Sequence, residues 1–359
     1  MSTIPPNEPP SAPPPDEFAN LEPLPVAPAR VAVLKASYRQ AWLYFLLTVC
    51  LIVAWGVPLR YAVLRWMAYA PRAAGPRDAH EFVALAYEGV SEDPRDIGPD
   101  RFKEQVAALR QAGYRTITLQ DVRALYRDGK PLPRRALLLT FDQSRKSSYF
   151  DARAVLQRAG WNAVMFLWTR PIRDEDPAAL RWPYVRAMLR GGAWESGAQS
   201  DNGFERVIAD HSGNRRNFMT SPRWSPGEMR YETPDEFSRR LNEDHEACRK
   251  LIERETGAAP IAYAFPYGDF GQYDERAILS RRLNLDLAAK YYDLGFILGT
   301  AALNTRHSDP RRLNRLLVSP QWTGAELVQR LDHAWPQREG YTRARAGRPA
   351  VLAARLGRF

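Results

Sequence analysis

From Glu81 onward the chain alternates short apolar runs of strand character with longer segments whose apolar residues recur every three or four positions. Phe82–Ala86 and Ala136–Phe141 are near-continuous apolar runs, the mark of strands buried on both faces, and Arg115–Leu119 and Asn162–Trp168 read as two more. Between them, Asp100–Gly113 predicts a helix with an Asp N-cap and a Gly stop, a second helix opens at Asp121, and a third runs through Ala152–Ala159. Repeated β-then-α units imply parallel strands joined by right-handed crossovers, and the expected closure is an α/β barrel.

The pattern upstream is different. Residues 1–40 begin with ten prolines in the first twenty-nine positions and hold almost no periodic apolar residues, so a disordered tail is expected. Residues 41–59 follow as a predicted membrane-spanning helix. Ala41–Val57 is seventeen residues without a charge, with Trp42 and Trp55 near its ends, and matches roughly the lower limit for a ~30 Å hydrocarbon core. Forty residues precede it and no small-residue cleavage site follows, which argues for an anchor rather than a removed leader. Arg30, Lys35 and Arg39 on one side balance Arg60, Arg65, Arg72 and Arg77 on the other, so flanking charge does not orient it. Residues 60–79 read as a juxtamembrane segment, 80–335 as the barrel domain and 336–359 as a basic tail.

Composition changes this picture little. The net charge of +10 comes from dispersed arginines, including Arg338, Arg343, Arg345, Arg348, Arg355 and Arg358 in the tail, and no groove-reading or base-stacking motif accompanies it, so no nucleic-acid partner is expected. Cys50 lies in the apolar stretch and Cys248 in a charged helical one, which disfavours a disulfide between them.

The run Ala136-Leu-Leu-Leu-Thr-Phe-Asp-Gln-Ser144 delivers a carboxylate, Asp142, to the carboxyl end of a buried strand, where α/β proteins place their chemistry. Together with Ala84-Leu-Ala-Tyr-Glu-Gly-Val90, Ala112-Gly-Tyr114, Thr118-Leu-Gln-Asp-Val122 and Ala262-Tyr-Ala-Phe-Pro-Tyr-Gly-Asp-Phe270, it resembles the polysaccharide deacetylase domain of the NodB-homology type, carbohydrate esterase family 4. Within that family it is most similar to the kind acting on poly-N-acetylglucosamine exopolysaccharide. The resemblance spans roughly residues 80–335 and implies a distorted (β/α) barrel. It also implies a divalent metal such as zinc, held by one Asp and two His, and a second Asp acting as base on metal-bound water.

The residues depart from that pattern where it matters. Asp142 stands at the base position, but Gln143 replaces the ligand Asp and Ser144 the following Gly. Gln199 stands at the first His position, Gly203 or Phe204 at the second, and Glu88 at a further family His. The expectation is a lost metal site, hence no cofactor. A replacement site built from Asp142, Glu195, Asp201 and a distant His is the alternative. Of the five histidines, His245 and His333 read as solvated or capping residues, and His307 as the one with a route to the barrel mouth. Trp194, Glu195 and the turn Pro266-Tyr267-Gly268 are expected to line a substrate groove. The stretch 202–232, rich in arginine and aromatic residues, reads either as a surface insertion packing its aromatics on the barrel or as a sugar- or acid-binding loop.

The implied protein is a deacetylase-like one anchored in the inner membrane by a single pass, with its barrel on the periplasmic side, working in extracellular polysaccharide biosynthesis, modification or export. Three functions compete: an impaired homologue that binds an N-acetylated glycan or supports a polysaccharide synthase or export complex, an active N-deacetylase with a rebuilt site, and a purely structural subunit of a membrane complex.

Overall fold

The structure is a computed structural model that describes residues 41–47, 80–273, 278–299 and 302–334. The predicted tail 1–40, most of the predicted span, the juxtamembrane segment and the tail 336–359 lie outside those residues. Residues 41–47 are helical, with Trp42 to Leu47 exposed. Among the described residues no helix is long and apolar enough to cross a membrane.

Seven parallel strands close into a barrel: β1 (Glu81–Tyr87), β3 (Ala136–Phe141), β4 (Ala163–Leu167), β5 (Trp194–Ala198), β10 (Ala262–Ala264), β11 (Leu294–Leu298) and β13 (Leu313–Leu317). Closure is made by β1 pairing with β3 on one side, where Phe82 opposes Ala136, and with β13 on the other, where Leu85 opposes Leu316. The short strands β2 (Arg115–Thr116) and β12 (Leu303–Thr305) flank it, β12 running antiparallel to β1.

Strand periodicity sorts the side chains into two apolar layers. Phe82, Ala84, Ala136, Leu138, Val164, Phe166, Ala262, Ala264, Phe296 and Leu313 fill the barrel. Their neighbours Val83, Leu85, Leu137, Leu139, Phe141, Met165 and Leu167 face outward beneath the helices. Phe166 fits because Gly197 opposes it across the β4–β5 pair; a Cβ there would come within 2.3 Å of the Phe166 ring.

The helices start elsewhere than their sequence signals suggest. Helix α1 (Pro99–Gln111) is entered from Gly98 with Pro99 at its first position, and Asp100 lies in the first turn instead of capping it. Helix α2 (Leu119–Asp128) begins two residues before Asp121. Thr118 caps it, and Asp121 closes the capping box from the third position. This cap takes residues 117–119 out of the predicted strand, leaving β2 two residues long. Leu119, Val122 and Leu125 of α2 then plug the amino-terminal end of the barrel.

Segment 202–232 folds as two hairpins, β6–β7 (Arg206–Ile208 with Arg215–Asn217) and β8–β9 (Trp224–Ser225 with Arg230–Tyr231). Phe218 and Met219 are buried against Phe237 and Leu241 of α6 (Pro234–Thr256), so the packing role of the insertion is met at those residues.

Candidate functional site

At the carboxyl ends of the strands the barrel interior turns from apolar to polar. Thr140, Asp142 and Arg315 project inward above Phe166, and Arg315 lies over that ring at 5.0 Å. Arg315 is fully buried and grips Asp142 through two nitrogens: Nη1 donates to Oδ1 at 2.6 Å and Nη2 to Oδ2 at 3.1 Å. Its Nη1 also donates to Thr140 Oγ1 at 3.0 Å. The pair is bidentate, as guanidinium and carboxylate geometry favours.

Gln143 and Ser144 follow in the left-handed region, at φ 65° and 55°. Each costs roughly 1–2 kcal/mol for a residue with a Cβ. The surroundings hold them there. The Gln143 N–H donates to Gln199 Oε1 at 2.7 Å, the Ser144 N–H to the Phe166 carbonyl at 3.2 Å, and Ser144 Oγ accepts from the Trp168 N–H at 2.8 Å.

Gln199, just past β5, and Gly203 or Phe204, four or five residues on, are the other positions that the sequence resemblance marks for metal ligands. Gly203 is buried, and a Cβ there would sit 2.3 Å from Ser200 Oγ and 2.6 Å from Pro266 Cγ, so no larger residue enters without displacement. The loop is tied from behind by Asp244 of α6, which accepts from Ser200 Oγ at 2.5 Å and the Asn202 N–H at 2.6 Å. Burial pushes the Asp244 carboxyl above the ordinary carboxylate range.

These residues do not fit a divalent cation. Gln143 donates its backbone N–H to the carboxamide oxygen of Gln199, neither Gly203 nor Phe204 offers a side-chain ligand, and both oxygens of the nearest carboxylate are held by Arg315. Among the described residues no three His, Cys, Asp or Glu side chains converge as metal ligands. The alternative set also comes apart. Glu195 lies at the amino-terminal end of β5, where its Oε2 accepts the Leu119 N–H at 2.6 Å and so satisfies a free donor of α2. Burial raises its carboxyl above the usual range. Asp201 is held by Arg173 Nη1 at 2.7 Å and Thr169 Oγ1 at 2.7 Å.

Several expectations need correction. Glu195 is at the closed end of the barrel and does not bind substrate at the mouth. Trp194 is buried on the outer face, 5.1 Å from the Phe141 ring and 5.6 Å from Tyr149, because its strand parity is opposite to that of the inward residues. His307 follows β12, whose Thr305 pairs with Glu81 at the start of β1, so it is exposed at the end opposite the mouth. His245 is neither solvated nor capping. It is fully buried among Tyr263, Tyr291 and Tyr292, and burial pushes its imidazole down to about 3. His333 is exposed on its helix as expected, against the Gln329 carbonyl.

The turn Pro266-Tyr267-Gly268 does reach the mouth. Tyr267 has φ 58° and is 43% exposed, and its hydroxyl donates to the Phe204 carbonyl at 2.7 Å. Phe204 lies 5.1 Å from the Tyr267 ring and 4.7 Å from Trp168, so three aromatic rings form a ledge beside the polar mouth. Trp168 was not singled out in the sequence, although an aromatic directly after a barrel strand is a signal for the rim. Arg315 was also missed. Its signal was a lone arginine at an inward position of Leu313-Asn-Arg-Leu-Leu317. On the other side of the mouth Glu88 follows β1, its carboxyl raised by burial and next by the Asp142 charge. Arg145 there holds Asp96 through two contacts of 2.7 and 2.8 Å.

Residues 129–286 match the family model described as polysaccharide deacetylase. The chain is 26% identical over 278 residues to a poly-beta-1,6-N-acetyl-D-glucosamine N-deacetylase of Escherichia coli (strain K12), an alignment covering 72% of this chain and 40% of that protein. It thus spans about two fifths of the length of that relative. Its fold is similar to a de-N-acetylase from Aggregatibacter actinomycetemcomitans, with a TM-score of 0.62, 22% identity, and coverage of 70% of this chain and 100% of that one. It is also similar to the BpsB deacetylase domain from Bordetella bronchiseptica, with a TM-score of 0.57, 22% identity, and coverage of 68% and 98%.

Proposed function

We propose, for a chain whose residues 129–286 match the polysaccharide deacetylase family model, that the barrel binds an N-acetylated glycan without hydrolysing it. It serves extracellular polysaccharide synthesis or export from the periplasmic face of the inner membrane, held there by residues 41–59 and working beside a synthase or export complex. The observation that carries the impaired chemistry is the 2.7 Å hydrogen bond from Gln143 N–H to Gln199 Oε1, which joins two former ligand positions directly. No cofactor enters this reading. The glycan is named from the relative of Escherichia coli, and the ledge of Trp168, Phe204 and Tyr267 supports it, since sugar rings present an apolar face to aromatic rings.

The chemistry left to the chain is binding and orientation. Tyr267 stacks a ring, and Asp142, fixed by Arg315, keeps lone pairs for a sugar hydroxyl or amide N–H. Without an activated water there is no nucleophile at the acetamide carbon.

Purified protein dialysed against a mild chelator is expected to hold far less than one zinc per chain and to release no acetate from N-acetylglucosamine oligomers. Near-stoichiometric zinc with acetate release would overturn the reading. Tyr267→Ala is expected to weaken oligomer binding about five- to tenfold, the equivalent of roughly 1 kcal/mol of stacking, in calorimetric titration. Unchanged affinity would remove the ledge from the site. A reporter fused after Trp335 is expected to signal from outside the inner membrane, and a cytoplasmic signal would reverse the topology.

A further inference from the structure

We infer that the glycan bound at this mouth carries free amino groups among its acetylated residues, and that Glu88 is the residue that selects them; this rests on the glycan-binding reading above. Strand register places Glu88. Ala86 pairs with Thr140 and Tyr87 with Phe141 across β1 and β3, and the ladder continues one step further, with the Asp142 N–H donating to the Tyr87 carbonyl at 3.1 Å. Glu88 therefore stands level with Asp142. On its other side β1 pairs with β13, where Ala86 opposes Leu317 and its carbonyl accepts the Val318 N–H at 3.0 Å. Phe82 and Ala84 point into the barrel, and the two-residue period carries Glu88 onto the same face at the rim. There it lines a cavity of about 220 Å³ with Asp96, Ile97, Leu317 and Ser319.

Charge selects the ligand. The two carboxylates that act on Glu88 are themselves neutralised: Asp142 by Arg315, and Asp96 by both Nη atoms of Arg145 with Ser91 Oγ donating to it at 2.5 Å. Both guanidinium groups are thereby committed. Arg95, the remaining cation at the cavity, is engaged with Asp93 at 3.0 and 2.7 Å. Glu88 forms no ion pair among the described residues, so its charge alone is left over. Partial burial and the Asp142 charge hold its carboxyl above the ordinary range, which marks the anion as under-compensated. A sugar hydroxyl or acetamide N–H can hydrogen-bond to it but leaves that charge standing, whereas an ammonium group cancels it and makes a charge-assisted hydrogen bond. Leu317, exposed beside it, offers apolar surface to the ring that carries the amine. The net charge of +10 repels polycations in general, so a preference for amines has to arise at a local site of this kind. An imidazole, which the resemblance marks for position 88, would offer no negative charge.

The test is calorimetric titration of the full-length protein in detergent with hexaglucosamine and hexa-N-acetylglucosamine of one linkage, and with hexalysine, at a pH just below the pKa of the sugar amines. Hexaglucosamine is expected to bind about tenfold more tightly than either of the others, the margin of one charge-assisted contact. Glu88→Gln keeps the shape and the hydrogen-bonding atoms but removes the charge. It is expected to shrink the margin between the two sugar oligomers to about threefold or less, with Glu88→Asp intermediate. The side chain reaches solvent, so both variants are expected to melt as the native protein does. Equal affinities of the native protein for the two sugar oligomers, or a margin unchanged in Glu88→Gln, would overturn this inference and leave the glycan-binding reading standing. Hexalysine binding as tightly as hexaglucosamine would also overturn it, since the mouth would then read charge without sugar. Failure of both sugar oligomers to bind would overturn both readings.

Discussion

Arg315→Met is expected to destabilise the domain by about 3–5 kcal/mol, the cost of leaving a buried carboxylate without its counter-ion. Arg315 is fully buried, so water cannot take the place of its guanidinium beneath the Asp142 carboxylate. Asp142→Leu should be similarly damaging for the mirror reason, with the guanidinium stranded over Phe166. The double variant Asp142→Leu with Arg315→Met is expected to recover most of the loss, because two apolar residues of similar bulk carry no desolvation penalty. Urea denaturation with a common slope reads all three. Single-variant losses below about 1 kcal/mol would mean that the pair behaves as a solvated surface bridge. This ion pair also bears on chemistry: a carboxylate fixed at both oxygens positions a ligand well but is poorly free to take a proton from water.

Trp194→Ala is expected to cost about 3–5 kcal/mol, the usual range for emptying a buried indole site. The side chain fills space between Phe141 and Tyr149 beneath helix α3 (Lys146–Ala159). Its removal leaves a void that rigid barrel strands cannot collapse to fill. Glycan affinity of the protein that remains folded is expected to be unchanged, since the indole is turned away from the mouth. Intact stability combined with lost oligomer binding would return Trp194 to the groove.

The two positions show where strand periodicity helps and where it stops. Alternation alone separates Trp194 from Glu195 and sends them to opposite faces, but which face is the interior depends on how β5 is paired with β4 and β10. Height along the barrel is likewise invisible locally. Glu195 is inward, as a ligand would be, yet it begins its strand, and the mouth lies at the other end. His245 was misread for a related reason. Its neighbours Asp244, Glu246, Arg249 and Lys250 suggest solvent, while the 3.6-residue period carries the imidazole itself onto the buried face of α6 with Leu241 and Cys248.

What the sequence by itself determined is the parallel barrel, through its unbroken apolar strands and alternating helices, and the placing of Asp142 at a strand end. These follow from residue type and spacing, which act over a few positions. What only the tertiary structure decided is which residues meet at the mouth. Gln143 meets Gln199 across 56 positions of chain, Asp142 meets Arg315 across 173, and Phe204 meets Tyr267 across 63. Each contact depends on barrel closure and strand register, which are set by the packing of the whole apolar interior and are written in no single segment.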